Sequence, residues 1–166
     1  MIHSPGPVRI RPATNTDRRA LETLIEHDLG ESPYAGIPAY YLRLAFDGRP
    51  GESRVVVAER GTLVVGLALY GEVAGAVGAG RLHFITVTAA ARLEAIGASL
   101  CAAAVDDFRR RGTRLVVAEV PAHPVMAGGF ALLARCGFGE AARVADYYQD
   151  GIDLVLLQRA LAPRDG

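Results

Sequence analysis

The chain has no lysine, few cysteines and no net charge, and the last two of these features each argue against a class of protein. All 18 basic residues are arginine and are balanced by 18 acidic residues, so the chain lacks the basic excess of a nucleic-acid-binding protein. We attribute the missing lysine to coding bias and not to function. The two cysteines, Cys101 and Cys136, have no CxxC spacing. We therefore expect two small buried residues and neither a metal site nor a disulfide framework.

Long apolar runs are missing as well. No stretch approaches a membrane span in length and apolarity, and the N-terminal sequence MIHSPGPVRIRP lacks the apolar run of a signal peptide. We therefore expect a soluble, cytoplasmic protein with neither membrane nor nucleic-acid partners. The length of 166 residues predicts a single domain, residues 1–166, because such a chain buries a core without metals or disulfides.

Hydrophobic periodicity and turn residues predict the element order β-α-α-β-β-β-α-β-α-β-β, which describes a mixed sheet with helices on both faces. Apolar residues at Leu21, Leu24, Ile25 and Leu29 give the first helix its amphipathic face. Gly137 is expected just past the end of the last helix, where glycine is favoured. The predicted strands are 8–11, 54–59, 63–71, 81–87, 114–120, 141–147 and 152–158, and the predicted helices are 21–29, 40–46, 96–111 and 126–135.

The most informative segment is GRLHFITV at 80–87, followed by TAAARLEAIGASL at 88–100. It indicates a strand that turns directly into a helix through a short loop. The first backbone N–H groups of a helix have no partner within it, so a helix start placed after a tight turn is suited to bind an anion.

This segment resembles motif A of the GNAT acyltransferases, which hold the pyrophosphate of acyl-coenzyme A at this point. The resemblance covers nearly the whole chain, through the segments VRIRPATNTDRRALETLI, VVVAERGTLVVGLALY, ALLARCGF and RVADYYQDGIDLVLLQRAL. It implies an α/β (α+β) fold with a mixed, mostly antiparallel central sheet and helices on both faces. Two splayed strands would form a cofactor cleft.

The same resemblance implies acetyl-CoA as the acyl donor. Its pantetheine arm would bind main-chain groups of Ile85, Thr86 and Val87. The diphosphate would lie on the loop and helix start formed by Arg92, Leu93, Glu94, Ala95, Ile96 and Gly97.

That loop departs from the family pattern Gln/Arg-x-x-Gly-x-Gly/Ala. Ala95 stands where a glycine is usual, which costs on the order of 1 kcal/mol if φ is positive there. Glu94 adds a carboxylate beside the expected diphosphate, and Leu93 adds bulk. Together these changes predict a coenzyme affinity weakened by about 2–3 kcal/mol, roughly 30- to 150-fold.

Acyl transfer to an amine needs a base, and the chain offers two candidates. His83 lies on the strand before motif A, and alternation predicts that it shares a face with Ile85 and Val87. The segment LHFITV resembles the HVLAV-like strand of arylalkylamine N-acetyltransferases, where a histidine helps deprotonate the amine through water. The alternative for His83 is a core histidine hydrogen-bonded to backbone. Glu119 is the second candidate, and its alternative is a strand-end carboxylate facing solvent.

The general acid is harder to identify. The family often has a tyrosine four residues before the Gly-Phe pair, where this chain has Leu133. The usual Asn and Ala of that helix are replaced by Met126 and Gly129. Tyr147 and Tyr148 are candidates, because one of two adjacent strand residues faces inward. The alternative is one packed and one exposed tyrosine.

Acceptor-binding candidates follow from the family's variable helical region. Tyr34 and Tyr41 are candidates for one wall of the acceptor pocket, and the alternative, which we favour, is that they serve helix packing. His123, in the loop after the splayed strand, is the third candidate. It has no second ligand at metal-binding spacing, so no metal is expected.

The sequence therefore predicts an acyl-CoA-dependent N-acetyltransferase that moves an acetyl group onto the primary amine of a small molecule by direct attack. The alternative is a GNAT-fold protein that has lost acyl transfer and serves as a binding or regulatory module, or uses the cleft for other chemistry. Whether the chain is a monomer or a homodimer stays open.

Overall fold

Seven strands form one sheet in the computed structural model, which describes residues 6–91 and 95–161. The strand order across the sheet is β1-β2-β3-β4-β5-β7-β6. All neighbouring strands pair antiparallel except β4 and β5, which are parallel. The strands are β1 (Val8–Pro12), β2 (Arg54–Arg60), β3 (Leu63–Glu72), β4 (Ala79–Val87), β5 (Leu115–Pro121), β6 (Gly139–Gln149) and β7 (Ile152–Ala160).

Four helices of the described residues cover the sheet: α1 (Arg18–Leu29), α2 (Gly36–Asp47), α3 (Ile96–Arg110) and α4 (Ala127–Arg135). Helix α2 begins four residues earlier than predicted because a 3-10 turn, Pro33–Ala35, leads directly into it. Proline at the first position of that turn and the Ser32 cap favour this start. No helix of the described ranges is both long and apolar enough to cross a membrane.

Buried side chains form two clusters on opposite faces of the sheet. One lies between the sheet and helices α1 and α2, and includes Leu21, Ile25, Leu42 and Leu67. The other lies against α3 and α4, and includes Leu100, Phe108, Val116, Leu133 and Phe138. The predicted α/β (α+β) fold, with a mixed, mostly antiparallel sheet and helices on both faces, is confirmed.

Helix α4 ends in a glycine turn that fixes the orientation of Leu133. Gly137 has φ +84°, which is the left-handed conformation predicted for this position. Its N–H donates to the Ala134 carbonyl at 3.1 Å, and the Phe138 N–H donates to the Leu133 carbonyl at 3.0 Å. Leu133 and Phe138 are both buried in the α3-side cluster, so the end of α4 is anchored against the sheet.

The two cysteines lie in or beside this cluster. Cys101 is buried and Cys136 is half-buried, and both are free thiols. Burial raises the pKa of Cys101 to about 12, so its nucleophilic thiolate is scarce at neutral pH. Cys101 is thus the small buried residue that we expected, whereas Cys136 is only half-buried.

Strand β4 contains a β-bulge that the sequence did not reveal. Leu69 of β3 pairs with Phe84, but the next residue, Tyr70, pairs with Leu82, so His83 is the extra residue. A bulge interrupts the alternation of side chains along a strand.

The bulge corrects the predicted orientation of His83. Ile85 and Val87 pack with the α3-side cluster, whereas His83 stacks on Tyr41 of α2, on the other face of the sheet. The prediction that His83 shares a face with Ile85 and Val87 is therefore wrong, because simple alternation does not hold across the extra residue.

Strands β4 and β5 separate soon after they meet. Their parallel register covers only Ala79–Leu115, Gly80–Val116 and Arg81–Val117. Beyond Arg81 the two strands diverge and leave a gap in the sheet. The splay that the family resemblance implied is present, and it organises the candidate site.

Candidate active site

A groove with a volume of about 560 Å³ lies at the C-terminal end of β4. The end of β4, the start of α3 and one side of α4 form its walls. Its lining residues are Asp28, Ile85, Thr86, Val87, Ala95, Gly97, Ala98, Val125, Gly128, Gly129, Ala131, Leu132 and Arg135. The groove thus includes Ile85, Thr86, Val87, Ala95 and Gly97 of the predicted cofactor residues.

Helix α3 presents an uncapped start to this groove. Ala95 is the N-cap residue and provides no side-chain hydrogen bond to the helix. Among the described residues, no side chain caps the first N–H groups of α3, which leaves these groups suited to an anion. Ile96 is buried in the α3-side cluster, so it can contribute only its backbone. Arg92, Leu93 and Glu94 lie outside the described residues.

Two details of the α3 start differ from expectation. Ala95 has φ −73°, so the penalty that we assigned to alanine at a positive φ does not arise. At Gly97, an added Cβ would lie 3.0 Å from a methyl group of Leu132. Glycine at 97 therefore allows α3 and α4 to approach each other closely.

A central cavity of about 80 Å³ lies in the gap between β4 and β5. It shares Asp28, Ile85, Val125 and Gly129 with the groove. Its remaining lining residues are Leu29, Tyr34, Ile37, Leu82, His83, Phe84, Ala118, Glu119, Val120, Pro121, Met126 and Leu133. The cavity is therefore mostly apolar, with polar groups concentrated towards its ends.

An outer cleft of about 350 Å³ lies on the far side of the cavity. It shares Ile37, Leu82, His83 and Glu119 with the cavity and is otherwise lined by Gly36, Tyr40, Tyr41, Arg81, Tyr147 and Tyr148. Groove, cavity and cleft thus adjoin one another through shared lining residues, and together they make up the passage through the splayed sheet. His83 and Glu119 lie where the cavity meets the cleft.

His83 is enclosed and lacks hydrogen bonds to the described residues. Its ring stacks on Tyr41 with centroids 3.5 Å apart and planes inclined by 10°. Neither Nδ1 nor Nε2, both buried, has a partner. Burial, together with the positive charge of Arg81, lowers the pKa of His83 to about 3. His83 is therefore neutral at pH 7. No described backbone group bonds its ring nitrogens, so the alternative of a core histidine bonded to backbone does not describe it, and its predicted role as a proton relay stays a prediction.

Glu119 forms an ion pair across the opening of the splay. Its Oε1 lies 2.9 Å from Nη2 of Arg81, and its side chain is about one-third exposed. Arg81 pairs in register with Val117, and Glu119 follows Val117 by two residues on the same face of β5. The carboxylate is thus held at the junction and still reaches solvent. The sequence did not predict Arg81 as a site residue. Its position diagonally opposite Glu119 follows only when β4 and β5 are known to be neighbouring strands.

Tyr147 and Tyr148 both line the cleft, but their environments differ. Tyr147 is exposed, whereas Tyr148 is half-buried, and burial with the nearby Glu119 raises the pKa of Tyr148 to about 12. The backbone bends before the pair at Asp146, which has φ +52° and whose N–H donates to Asp153. Tyr148 is therefore a protonated phenol at neutral pH that faces the cleft.

Tyr34 and His123 lie together beside the cavity. Tyr34 is only 4% exposed, and its ring centroid lies 5.3 Å from that of His123. Nδ1 of His123 accepts a hydrogen bond from the Val125 N–H at 3.2 Å. His123 thus caps the short turn before α4, and neither the cavity nor the cleft has it in its lining. Its predicted role in acceptor binding stays a prediction.

Asp28 is a candidate that sequence reasoning missed. The buried hydroxyl of Thr86 donates to its Oδ2 at 2.8 Å, so Thr86 contributes a side chain as well as its backbone. Asp28 and Thr86 are 58 residues apart in sequence, and a carboxylate in the last turn of an amphipathic helix gives no signal of such a partner. Arg135, which lines the groove, was also missed. No cluster of metal-ligating side chains occurs within the described part of the chain.

Comparison with known proteins places this passage in context. Residues 21–138 match the model of the acetyltransferase (GNAT) family. Among curated protein sequences, no significant match was found.

Solved structures share the fold over nearly the full chain. A GNAT-family protein from Desulfovibrio desulfuricans has a TM-score of 0.83 at 23% identity, covering 94% of this chain and 100% of that one. The ribosomal-protein-alanine N-acetyltransferase from Brucella melitensis has a TM-score of 0.72 at 27% identity, covering 92% and 99%. The ribosomal-protein-S18-alanine N-acetyltransferase from Escherichia coli has a TM-score of 0.72 at 19% identity, covering 96% and 99%.

Proposed function

Since the chain belongs to the GNAT acetyltransferase family, we propose that it transfers an acetyl group from acetyl-CoA to the primary amine of a small molecule. The observation that carries this proposal is the passage, in which groove, cavity and cleft adjoin one another through shared lining residues. Such a passage lets a donor and an acceptor enter from opposite sides and meet in the gap between β4 and β5.

The groove fits acetyl-CoA as the donor. The uncapped N–H groups at the start of α3 suit a diphosphate, and Arg135 adds a positive charge to the same groove. Main-chain groups of Ile85, Thr86 and Val87 lie beside the gap that would admit the pantetheine arm. When bound, the coenzyme supplies the activated acetyl thioester, and this chain's residues position the two reactants.

The cleft fits a small amine as the acceptor. Its volume of about 350 Å³ is at the lower end of the range for small-molecule sites. Tyr40 and Tyr41 of α2 and Tyr147 and Tyr148 of β6 provide aromatic walls. Rings of this kind attract an ammonium group, and so does the carboxylate of Glu119.

Glu119 is the better candidate for the base that receives the amine proton. It lines both the cavity and the cleft, and its carboxylate reaches solvent, so a water molecule can relay a proton to it. His83 lines the same junction, but a pKa of about 3 makes it a weak proton acceptor at neutral pH. We therefore assign His83 to packing and Glu119 to proton acceptance. Tyr148, a protonated phenol facing the cleft, remains the candidate proton donor.

A turnover assay tests the proposal. The purified protein is incubated with acetyl-CoA and a panel of small primary amines, while release of free thiol and formation of the acetylated amine are followed. We expect thiol release that depends on the amine and is lowered about 100-fold in Glu119→Gln. If millimolar acetyl-CoA gives no amine-dependent release with any acceptor, acyl transfer is refuted and the GNAT fold serves another use.

A further inference from the structure

One residue that lines the central cavity has a buried hydroxyl group without a hydrogen-bond partner among the described residues. It belongs to Tyr34, which is 4% exposed, and among the described residues nothing accepts its hydrogen bond. Buried polar groups in folded proteins almost always have partners, so an orphaned one calls for an explanation. Its position beside the gap between β4 and β5 suggests that a ligand provides the missing acceptor.

Three elements hold the Tyr34 ring in place. The Ser32 side chain accepts a hydrogen bond from the Tyr34 N–H at 3.2 Å, which fixes the turn before α2. The ring packs against His123, which precedes α4, with centroids 5.3 Å apart. It also meets the edge of Tyr148 of β6 at 5.6 Å. The phenol is therefore pre-positioned, and little ordering is needed when a ligand arrives.

On the α4 side of the cavity, none of the described lining residues has a polar side chain. Helix α4 and the turn before it contribute only Val125, Met126, Gly129 and Leu133. Asp28 lies at the groove end, and His83 and Glu119 lie at the cleft end. Among the described residues that line the cavity, Tyr34 alone carries a hydroxyl.

We infer that Tyr34 is a catalytic residue whose hydroxyl donates a hydrogen bond to the carbonyl oxygen of the acyl group during transfer. The inference rests on the proposed function. As the amine nitrogen forms its bond to the carbonyl carbon, the C=O electron pair moves onto oxygen, and the phenol O–H stabilises that charge. The nitrogen gives up its proton to Glu119 through water, the C=O bond reforms, the C–S bond breaks and the thiolate leaves with the electron pair. Tyr34 keeps its proton throughout, so no proton has to be returned to it.

This assignment explains why an unpartnered hydroxyl is kept in the cavity. A donor left without an acceptor in the free enzyme gains its partner only as charge develops on the oxygen. In other enzymes, loss of one such donor lowers kcat by about 100- to 1000-fold.

The test is Tyr34→Phe, which removes the hydroxyl and keeps the ring, with Tyr70→Phe as the matched control. Tyr70 is also buried, but its hydroxyl donates to Asp107 at 3.2 Å and lies outside the passage. We expect Tyr34→Phe to lower kcat about 100-fold, with unchanged acetyl-CoA Kd by calorimetry and an unchanged or higher Tm. Tyr70→Phe should show the opposite pattern, an unchanged kcat and a lower Tm.

Two results would overturn the inference. One is a Tyr34→Phe variant with the parent's kcat, which would limit Tyr34 to packing. The other is a loss of activity matched by an equal loss of acetyl-CoA affinity, which would make it a ground-state binding residue. Failure of the proposed function is distinguishable, because it would appear in the parent protein as an absence of amine-dependent transfer.

Discussion

Burial of a neutral histidine makes the stability of this protein depend on pH. The pKa of His83 is about 3 in the folded state, against about 6.5 for an unperturbed histidine. Between these values the unfolded chain binds one more proton than the folded protein. The free energy of unfolding therefore rises with pH across that window. The contribution linked to His83 is fully present above about pH 6.5 and is lost as the pH falls towards 3.

The size of the effect follows from the width of the window. Each pH unit within it changes the unfolding free energy by about 1.4 kcal/mol. Acidification from pH 7 to pH 5 should therefore cost about 2 kcal/mol through His83 alone. For a chain of this length, that corresponds to a Tm lowered by about 4–8 °C.

The variant His83→Phe removes the titrating group and keeps a ring against Tyr41. Urea unfolding of parent and variant at pH 7 and pH 5 measures the effect, and the other histidines contribute equally to both proteins. We expect similar stabilities at pH 7, or a more stable variant, because two unpartnered nitrogens are removed. At pH 5 the variant should be more stable than the parent by about 2 kcal/mol. Parallel stability curves for the two proteins would refute the reasoning.

Two further predictions concern charged residues. Glu119→Gln should lower kcat about 100-fold with unchanged acetyl-CoA affinity, because Glu119 does not line the groove. Steady-state kinetics measures kcat and calorimetry measures the affinity. A decrease in kcat no greater than that of His83→Phe would contradict the prediction. Asp17→Asn should lower the unfolding free energy at pH 7 by about 2 kcal/mol, because the Arg11 guanidinium holds the pKa of Asp17 well below its usual range. That contribution is present above about pH 4 and is lost at lower pH. Urea unfolding at pH 3 should therefore show a smaller difference in unfolding free energy between the parent and Asp17→Asn than at pH 7. Equal differences at the two pH values would contradict this prediction.

Local patterns were enough to predict the elements of the fold. Gly137 follows a short amphipathic helix, and the glycine ends that helix at the expected place with φ +84°. The hairpin of β2 and β3 was indicated by two apolar runs around Arg60 and Gly61, and the strands end and begin within a residue or two of expectation. Such signals succeed because the interactions that they report lie within a few residues.

Features that depend on distant partners were missed. The bulge that turns His83 towards α2 is visible only in the pairing with Leu69 and Tyr70 of β3. The pairing of Asp28 with Thr86 joins elements far apart in sequence, as does the Arg81–Glu119 ion pair. Glu119 itself was a candidate, but its standing relative to His83 depends on burial, which the sequence does not specify.

Binding of acetyl-CoA in the groove tests the central claim most directly. The matched variants are Gly129→Leu, at a position lining both groove and cavity, and Ala134→Leu, at an exposed position of the same helix. A Cβ at Gly129 meets no atom within 4 Å, so the larger side chain extends into the passage without a clash at Cβ. By calorimetry we expect the parent and Ala134→Leu to bind acetyl-CoA alike, and Gly129→Leu to bind at least about tenfold more weakly, a loss of about 1.4 kcal/mol. No binding by the parent at millimolar acetyl-CoA, or equal affinities in all three proteins, would contradict the account.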